Sequence, residues 1–596
     1  YEALKKAHMP GGTMDKGGGF VQEYIDRGFV PETDPPQGWG GAGRVMEYVT
    51  QDWALAQLAE KLGKTDDAAY FLKRSANWYN LFDPSTGFIR PRNLDGTWKD
   101  PFDPVLDANF GGFVEANSWQ TTWMAVHDVQ GLVNLLGGVD AYCDKLNFAF
   151  EQARSDNFVG GYGGNYVNYA NQPGLVMAHL FNAAGKPWLT QYWVREVYNR
   201  VFSDITPYGG YGGNDEDQGQ MAALSALMAI GLFDIKGGCD PEPVYQITTP
   251  LFDTVIVQLN PKYYPGERFL ITAMDQTPEN RYIQAAWLNG EPLQTSWFHQ
   301  ETFRNGGHLH LQLGPYPNRS WGIADPMPSV TVGTPQFELT GIVCPDEVVA
   351  GEDIRVSYRV RNQGAVGTYF GRITLNGHTL ARRELILHSG DEQEVSYVFR
   401  LHRPGVHQVQ VADRVIPIGI RYRKSKLELV ELDCHAIGAR ITGRGTVYNT
   451  GSDTIDQVLP IAANGVAVSA PHVRLLPGEE QEFVFTYEAP RSGTYRLRIN
   501  GEERATIGVV LPAAKPEPGL ILRYDFDDAA TPLLDLSGNN LHPQRERLPE
   551  VDTVKGGVRF EKNRHLRITD TELLNNKKVI AISVEIYPVT WYSFGR

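Results

Sequence analysis

The sequence predicts a multidomain chain: a helical barrel in the N-terminal part, a β-subdomain after it, and β-sandwich modules behind. Three observations carry that reading. Apolar residues recur at helical spacing from Tyr1 to about Gly238, and near Pro241 the period changes to alternation. Beyond a Pro-rich stretch at 326–335, one plan of short strands and turns then occurs twice.

In chain order, Val45, Tyr48, Val49, Trp53, Leu55, Leu58 and Leu62 mark one helix, stopped by Gly63. Thr65 caps a second, carrying Phe71, Leu72, Trp78 and Leu81, so the two form an antiparallel pair. The following loop, 83–92, is long for a simple bundle, and long loops at one end suit a helical barrel whose site lies there. Further helices are predicted over 120–136, 139–153, 174–184, 189–202 and 219–232, closing a unit at 1–240. A β-subdomain at 241–325 follows, with alternating runs from Tyr245, Thr254, Phe269, Tyr282 and His308 and a hairpin turn at Asn289-Gly290. The stretch 326–335 reads as a linker.

Segments 336–421 and 426–511 share matching turns at Asn362 and Asn449, Gly390 and Gly478, and Gly405 and Gly493. About seven short strands with such turns predict immunoglobulin-like sandwiches, each with its own core and standing apart from the catalytic pocket. After a second Pro-rich linker, 519–596 resembles the first half of a laminin-G/concanavalin-like jelly roll.

Acidic residues outnumber basic ones 70 to 55, a formal net charge of -15, which argues against nucleic acid or an anionic membrane as partner. No apolar run reaches membrane-spanning length. The four cysteines form no C-x-x-C, and aromatics at 11% suit a sugar cleft. Tyr1 opens what reads as the middle of a helix, so both ends are read as cut.

Two acidic stretches carry chemistry. Asp215-Glu216-Asp217 stands between a glycine-rich loop and the wholly apolar run 221–230, at the start of a helix expected to be buried. Its N-terminal N–H groups would hold Asp215 and Asp217 ionised, as a general base or a cation site requires. Glu115 stands among Phe110, Phe113, Trp119 and Trp123. Burial among aromatics would keep it protonated, as a general acid requires. Two carboxyls pushed in opposite directions are what glycosidic cleavage needs.

These residues carry a resemblance to glycoside hydrolase family 92, the calcium-dependent exo-acting α-mannosidases that invert configuration. The motifs are Glu47-Tyr48 with Asp52-Trp53; Glu115-Ala116-Asn117-Ser118-Trp119-Gln120 followed by His127-Asp128; Ala184-Gly185-Lys186-Pro187-Trp188; and Asp215-Glu216-Asp217-Gln218-Gly219-Gln220. The resemblance runs to about Trp321-Gly322 and implies an (α/α)6 barrel of paired helices. The family's N-terminal β-sandwich and first barrel helices have no counterpart here, so one wall of the sugar pocket is expected from outside this chain.

Carried over, Glu115 is the general acid and Asp217 the general base, with Asp215 assisting. Trp119, Asn171 and Gln172 are implied to bind substrate, and Gln120 and Gln172 to ligate Ca2+. The implied partner is a glycan with terminal α-mannose, and the implied location is extracellular, periplasmic or at the cell surface. One departure stands out: Asn171-Gln172-Pro173 replaces the family's His-Glu-Pro or Asn-Glu-Pro, removing a carboxylate. An amide oxygen still ligates calcium, without charge. The rival readings are another helical-barrel carbohydrase and a non-catalytic carbohydrate-binding protein.

Overall fold

Around the helix Gly41–Lys61 the N-terminal core is assembled: Val45, Val49, Trp53, Ala56 and Ala59 fall on one stripe and are buried. Leu58 and Leu62, counted with that stripe in the sequence, are exposed instead. Its partner Thr65–Arg74 begins at Lys64 without a side-chain cap, so Thr65 is the first helical residue and not the cap. It tightens into a 3-10 turn, Ser75–Leu81, which delivers Trp78 and Leu81 to the core. The computed structural model describes residues 1–32, 40–105, 112–161, 163–202, 204, 206, 219–421, 426–451 and 454–509, with the backbone of 550–552 and 557–559.

The helix expected over 120–136 is three pieces: Ser118–Thr121, the 3-10 turn Val126–Asp128 and Val129–Leu135. Two caps explain the breaks, because Asn117 accepts from the Gln120 N–H at 3.2 Å and Asp128 from the Gly131 N–H at 3.2 Å. Likewise 174–184 shrinks to Leu180–Ala183 behind 3-10 turns at Gln172–Gly174 and Met177–His179, where Pro173 and Gly174 resist a helical run. Val139–Ala153 and Pro187–Val201 form as long helices. The apolar run after the acidic triplet is the helix Gln220–Ile230, but it is not buried all round. Met221, Leu224 and Met228 make one covered stripe, whereas Ala222, Ala223 and Ala226 are exposed among the described residues.

In the β-subdomain a five-stranded sheet runs Thr254–Gln258, Arg268–Met274, Gly307–Gly314, Tyr282–Leu288, Glu291–Pro292, with the second and third strands parallel. Its alternate residues Phe269, Ile271, Ile283, Leu309 and Leu311 form a separate core. Asn289 and Gly290 both take positive φ (54° and 88°), the geometry a two-residue hairpin demands.

Two further cores lie in two-sheet units behind it. In the first, the three strands Phe337–Val343, Asp353–Asn362 and Glu392–Arg400 face a five-stranded sheet around Ile354, Val356, Ile373 and Val409. In the second, Leu427–Ile437, Arg440–Asn449 and Glu480–Glu488 face Val466–Ser469, Ile461–Ala463, Gly493–Ile499 and Glu502–Val509. The repeat read from the turns is physical. Asn362 and Asn449 are both fully buried, and their side-chain amides donate to Leu387 O (2.9 Å) and Leu475 O (3.1 Å). Their backbone carbonyls accept from Gly390 (2.8 Å) and Gly478 (3.2 Å). Of the jelly roll expected over 519–596, only the strand pair Glu550–Asp552 with Gly557–Arg559 lies within the described residues.

The Pro-rich stretch 326–335 is not a free linker. It is a strap held on the helical unit, because the buried Asp128 carboxylate accepts from Ser329 Oγ (3.1 Å), Thr331 N (2.8 Å) and Thr331 Oγ1 (3.0 Å). Val330 N donates to His127 O, Asn134 Nδ2 to Gly333 O, and Lys236 Nζ to Pro328 O. The first sandwich also leans on the helices: Val366 joins the helical core, and Tyr79 meets His388 edge to face at 5.4 Å.

Candidate active site

Glycines place the site. The loop 112–115 lies directly on the first turn of the Gly41–Lys61 helix, where Gly43 N donates to Gly112 O at 3.0 Å. A Cβ at Gly40 would stand 2.0 Å from Gly112 C, so only glycine admits this approach. Between them opens a cleft of about 680 Å³. One wall is a face of that helix, with Gly43, Glu47 and Gln51 four residues apart and Arg44 and Tyr48 beside them. The other wall holds Glu115, Asn171 and Gln172, and Ala7 and His8 complete the rim. Three of the seven sequence-expected residues therefore meet in one cleft, with members 56 positions apart in the chain bonded to each other.

Glu115 adopts φ +47°, a left-handed conformation uncommon outside glycine. Such a conformation costs roughly 1–3 kcal/mol and persists only where neighbours over-determine it. Here they do: the Glu115 carbonyl accepts from Gly163 N (3.1 Å) and Asn171 Nδ2 (2.7 Å), and Asn171 Nδ2 also lies 3.5 Å from Glu115 Oε2. Of the aromatic residues expected around Glu115, Phe110 lies outside the described residues, and Trp119 and Trp123 have other ring partners. Trp119 turns into a cluster with Phe88 (4.7 Å), Tyr166 (5.1 Å) and Phe148 (5.7 Å), and Trp123 meets Tyr142 (5.1 Å). Trp119 is thus a packing residue, 8% exposed, and not among the residues lining the cleft. Two tryptophans four residues apart gave no sequence signal for which way they would face.

Behind Glu115, Asn117 and Gln120 clasp the 163–165 loop. Asn117 Nδ2 donates to Gly163 O and Asn165 O (both 2.9 Å), and Gln120 Nε2 donates to Gly164 O (2.6 Å) and Asn165 O (2.9 Å). The other amide atom, Gln120 Oε1, is buried with no hydrogen-bond partner among the described residues. A neutral hard oxygen left unsatisfied is the donor type calcium takes. The short helix bearing Gln120 touches the Gln172–Gly174 turn, which brings the two expected ligand segments together. Among the described residues no group of three or more His, Cys, Asp or Glu side chains could hold a metal. Asp215 and Asp217 lie outside the described residues.

The sequence reading missed two titratable groups in the cleft. Glu47 faces it from an exposed position, and loss of water to the protein around it pushes its carboxyl pKa up. His8 is oriented by the buried Asp52, whose oxygens also take Arg74 Nε (2.6 Å), Arg74 Nη2 and Tyr24 Oη (2.8 Å). Asp52 Oδ1, which also takes Arg74 Nη2, lies 3.3 Å from His8 Nδ1 and so fixes the ring's orientation at the rim. The available signal for Glu47 was its place four residues after Gly43 and four before Gln51, a polar stripe along a helix whose other face is apolar.

Among the described residues no helix is long and apolar enough to cross a membrane. A protein of Arthroderma benhamiae described as an uncharacterized secreted glycosidase is 29% identical over 367 residues, covering 56% of this chain and 44% of that protein. A family GH92 α-mannosidase of Bacteroides thetaiotaomicron, solved with mannoimidazole, is 27% identical with a TM-score of 0.49, covering 56% of this chain and 43% of that one. An inverting mannosidase of the same family and organism is 29% identical with a TM-score of 0.47, covering 55% and 44%. The chain thus spans less than half the length of these relatives. The glycosyl hydrolase family 92 catalytic domain matches residues 1–315, more than half of the 596, and the chain belongs to that family.

Proposed function

We propose that the protein hydrolyses terminal α-linked mannose from glycans with inversion, Glu115 acting as general acid and Asp217, assisted by Asp215, as general base. The supporting observation is Glu115 itself: a carboxyl on a left-handed backbone, held by Asn171 and facing the cleft of a family 92 chain. Glu115 would protonate the glycosidic oxygen as the bond breaks, while the base would draw a proton from a water on the opposite face. That water needs carboxyl groups roughly 6.5–9.5 Å apart. Gln120 and Gln172 would hold a Ca2+ through amide oxygens, and the ion would supply positive charge against the sugar's hydroxyls. Asn171 keeps Glu115 in place from the neighbouring turn. The secreted relative suggests an extracellular or periplasmic setting. The helical unit is assigned as part of an (α/α)6 barrel at 1–240 with its β-subdomain at 241–325. The two-sheet units at 336–421 and 426–511 are assigned as immunoglobulin-like, and 519–596 as a jelly roll.

The test is hydrolysis of a panel of α-linked mannobioses and aryl α-mannosides, with and without a chelator, with the first-formed anomer read by NMR. β-Mannose supports inversion, and α-mannose refutes it. Glu115→Gln should lose roughly 10²–10⁴-fold on mannobiose, with the loss shrinking on an aryl mannoside whose leaving group needs no proton. Equal losses on both substrates would remove Glu115 from the acid role.

A further inference from the structure

We propose that Glu47 is a substrate-positioning residue, its carboxyl gripping hydroxyl groups of the terminal sugar from the helix wall opposite Glu115. This rests on the glycosidase reading and adds a contact to it. Several neighbours on the cleft's helix and rim walls already have contacts within the fold. Tyr48 Oη donates to Gly19 O (3.0 Å), His8 is held by Asp52, and the Arg44 guanidinium lies 5.1 Å over the Phe20 ring. Among the described residues Glu47 has no hydrogen-bond or ion-pair partner, although Arg44 stands one turn before it on the same helix. It remains exposed to the cleft while protein around it disfavours its charge.

A carboxyl in that position contributes nothing to folding that an amide or a methionine would not, and it offers two acceptor oxygens to whatever enters. Sugar hydroxyls are neutral donors that a carboxyl accepts from, and Asn171 and Gln172 line the opposite wall. Glu47 sits on a regular helix whose buried stripe is fixed by the core, so the grip is built on a rigid element.

The experiment compares the intact chain with Glu47→Gln and Glu47→Ala, using one parent aryl mannoside and each of its monodeoxy analogues. In the wild type, removing the gripped hydroxyl should lower kcat/KM on the order of tenfold or more; in Glu47→Ala that further loss should vanish. The Glu47→Ala defect should be equal for good and poor leaving groups, which separates it from Glu115. Both variants should unfold at or above the wild-type midpoint. An active wild type with no coupling at any hydroxyl overturns the proposal and leaves the glycosidase reading standing. A shifted calcium requirement at unchanged KM overturns it in favour of a metal ligand, and a lowered unfolding midpoint overturns it in favour of a structural role. A wild type that neither cleaves nor binds mannosides removes the glycosidase reading and this proposal together.

Discussion

Replacing Asp128 by alanine should detach the strap that ties the helical unit to the first sandwich. The carboxylate accepts five bonds: Tyr79 Oη at 2.6 Å, Thr331 N at 2.8 Å, Thr331 Oγ1 at 3.0 Å, Ser329 Oγ at 3.1 Å and Gly131 N at 3.2 Å. The three hydroxyls can turn to other partners, but the two backbone N–H groups cannot. Bonds to a charged acceptor contribute roughly 1.5–3 kcal/mol each, and the Gly131 bond also caps a helix, so alanine should cost about 3–5 kcal/mol. The loss saturates once the strap peels away and water reaches Thr331. Asparagine keeps the shape and one acceptor, and both hydroxyls at Oδ2 can accept from its amide, so it should cost about 1–2 kcal/mol. Urea unfolding gives the ranking, and limited proteolysis read by mass spectrometry should find new cleavage within 326–335 in Asp128→Ala. Unchanged unfolding together with unchanged cleavage would refute the strap and restore a passive linker.

Asn362→Ala and Asn449→Ala should each cost about 2–4 kcal/mol, measured by urea unfolding of each variant, because each strands a buried carbonyl and turn N–H groups. His179 is fully buried with neither ring nitrogen bonded among the described residues, and burial pushes its pKa down to about 3. The unfolded chain therefore binds more protons, so stability should fall as pH drops from about 6.5 towards 3; His179→Phe should keep the 3.9 Å stack on Phe233 and flatten that fall in unfolding curves across pH. Burial pushes the Lys145 ammonium down to about 7, while the Phe88 face 3.2 Å away acts in the opposite sense by roughly 1–2 kcal/mol. Its lowered folded pKa means stability rising between pH 7 and 10, and Lys145→Met should raise the unfolding midpoint at pH 7 and remove that rise.

What the sequence disclosed and what it hid divide along one physical line. Periodicity reports which face of an element is apolar, so Val139–Ala153, the alternating strands of the β-subdomain and the paired Asn362 and Asn449 turns were legible before any coordinates. Local caps compete with periodicity, and one strong cap at Asn117 and another at Asp128 cut a continuous apolar pattern into three short pieces. The same Asp128 turned a composition that reads as a linker into a bound strap, which required partners 201 and 203 residues away. Glu115, Asn171 and Gln172, named from a set of motifs in which Asn171-Gln172 is a departure, line one cleft, but the reason offered for Glu115 was its aromatic neighbours, and Trp119 and Trp123 have other ring partners. A carboxyl's environment is a property of three dimensions: Glu47, between Met46 and Tyr48 in sequence, lines the same cleft as Glu115, and the protein around it pushes its carboxyl pKa up. Hence a residue that entered the sequence reading only as part of a motif is the one on which a test of sugar recognition should now turn.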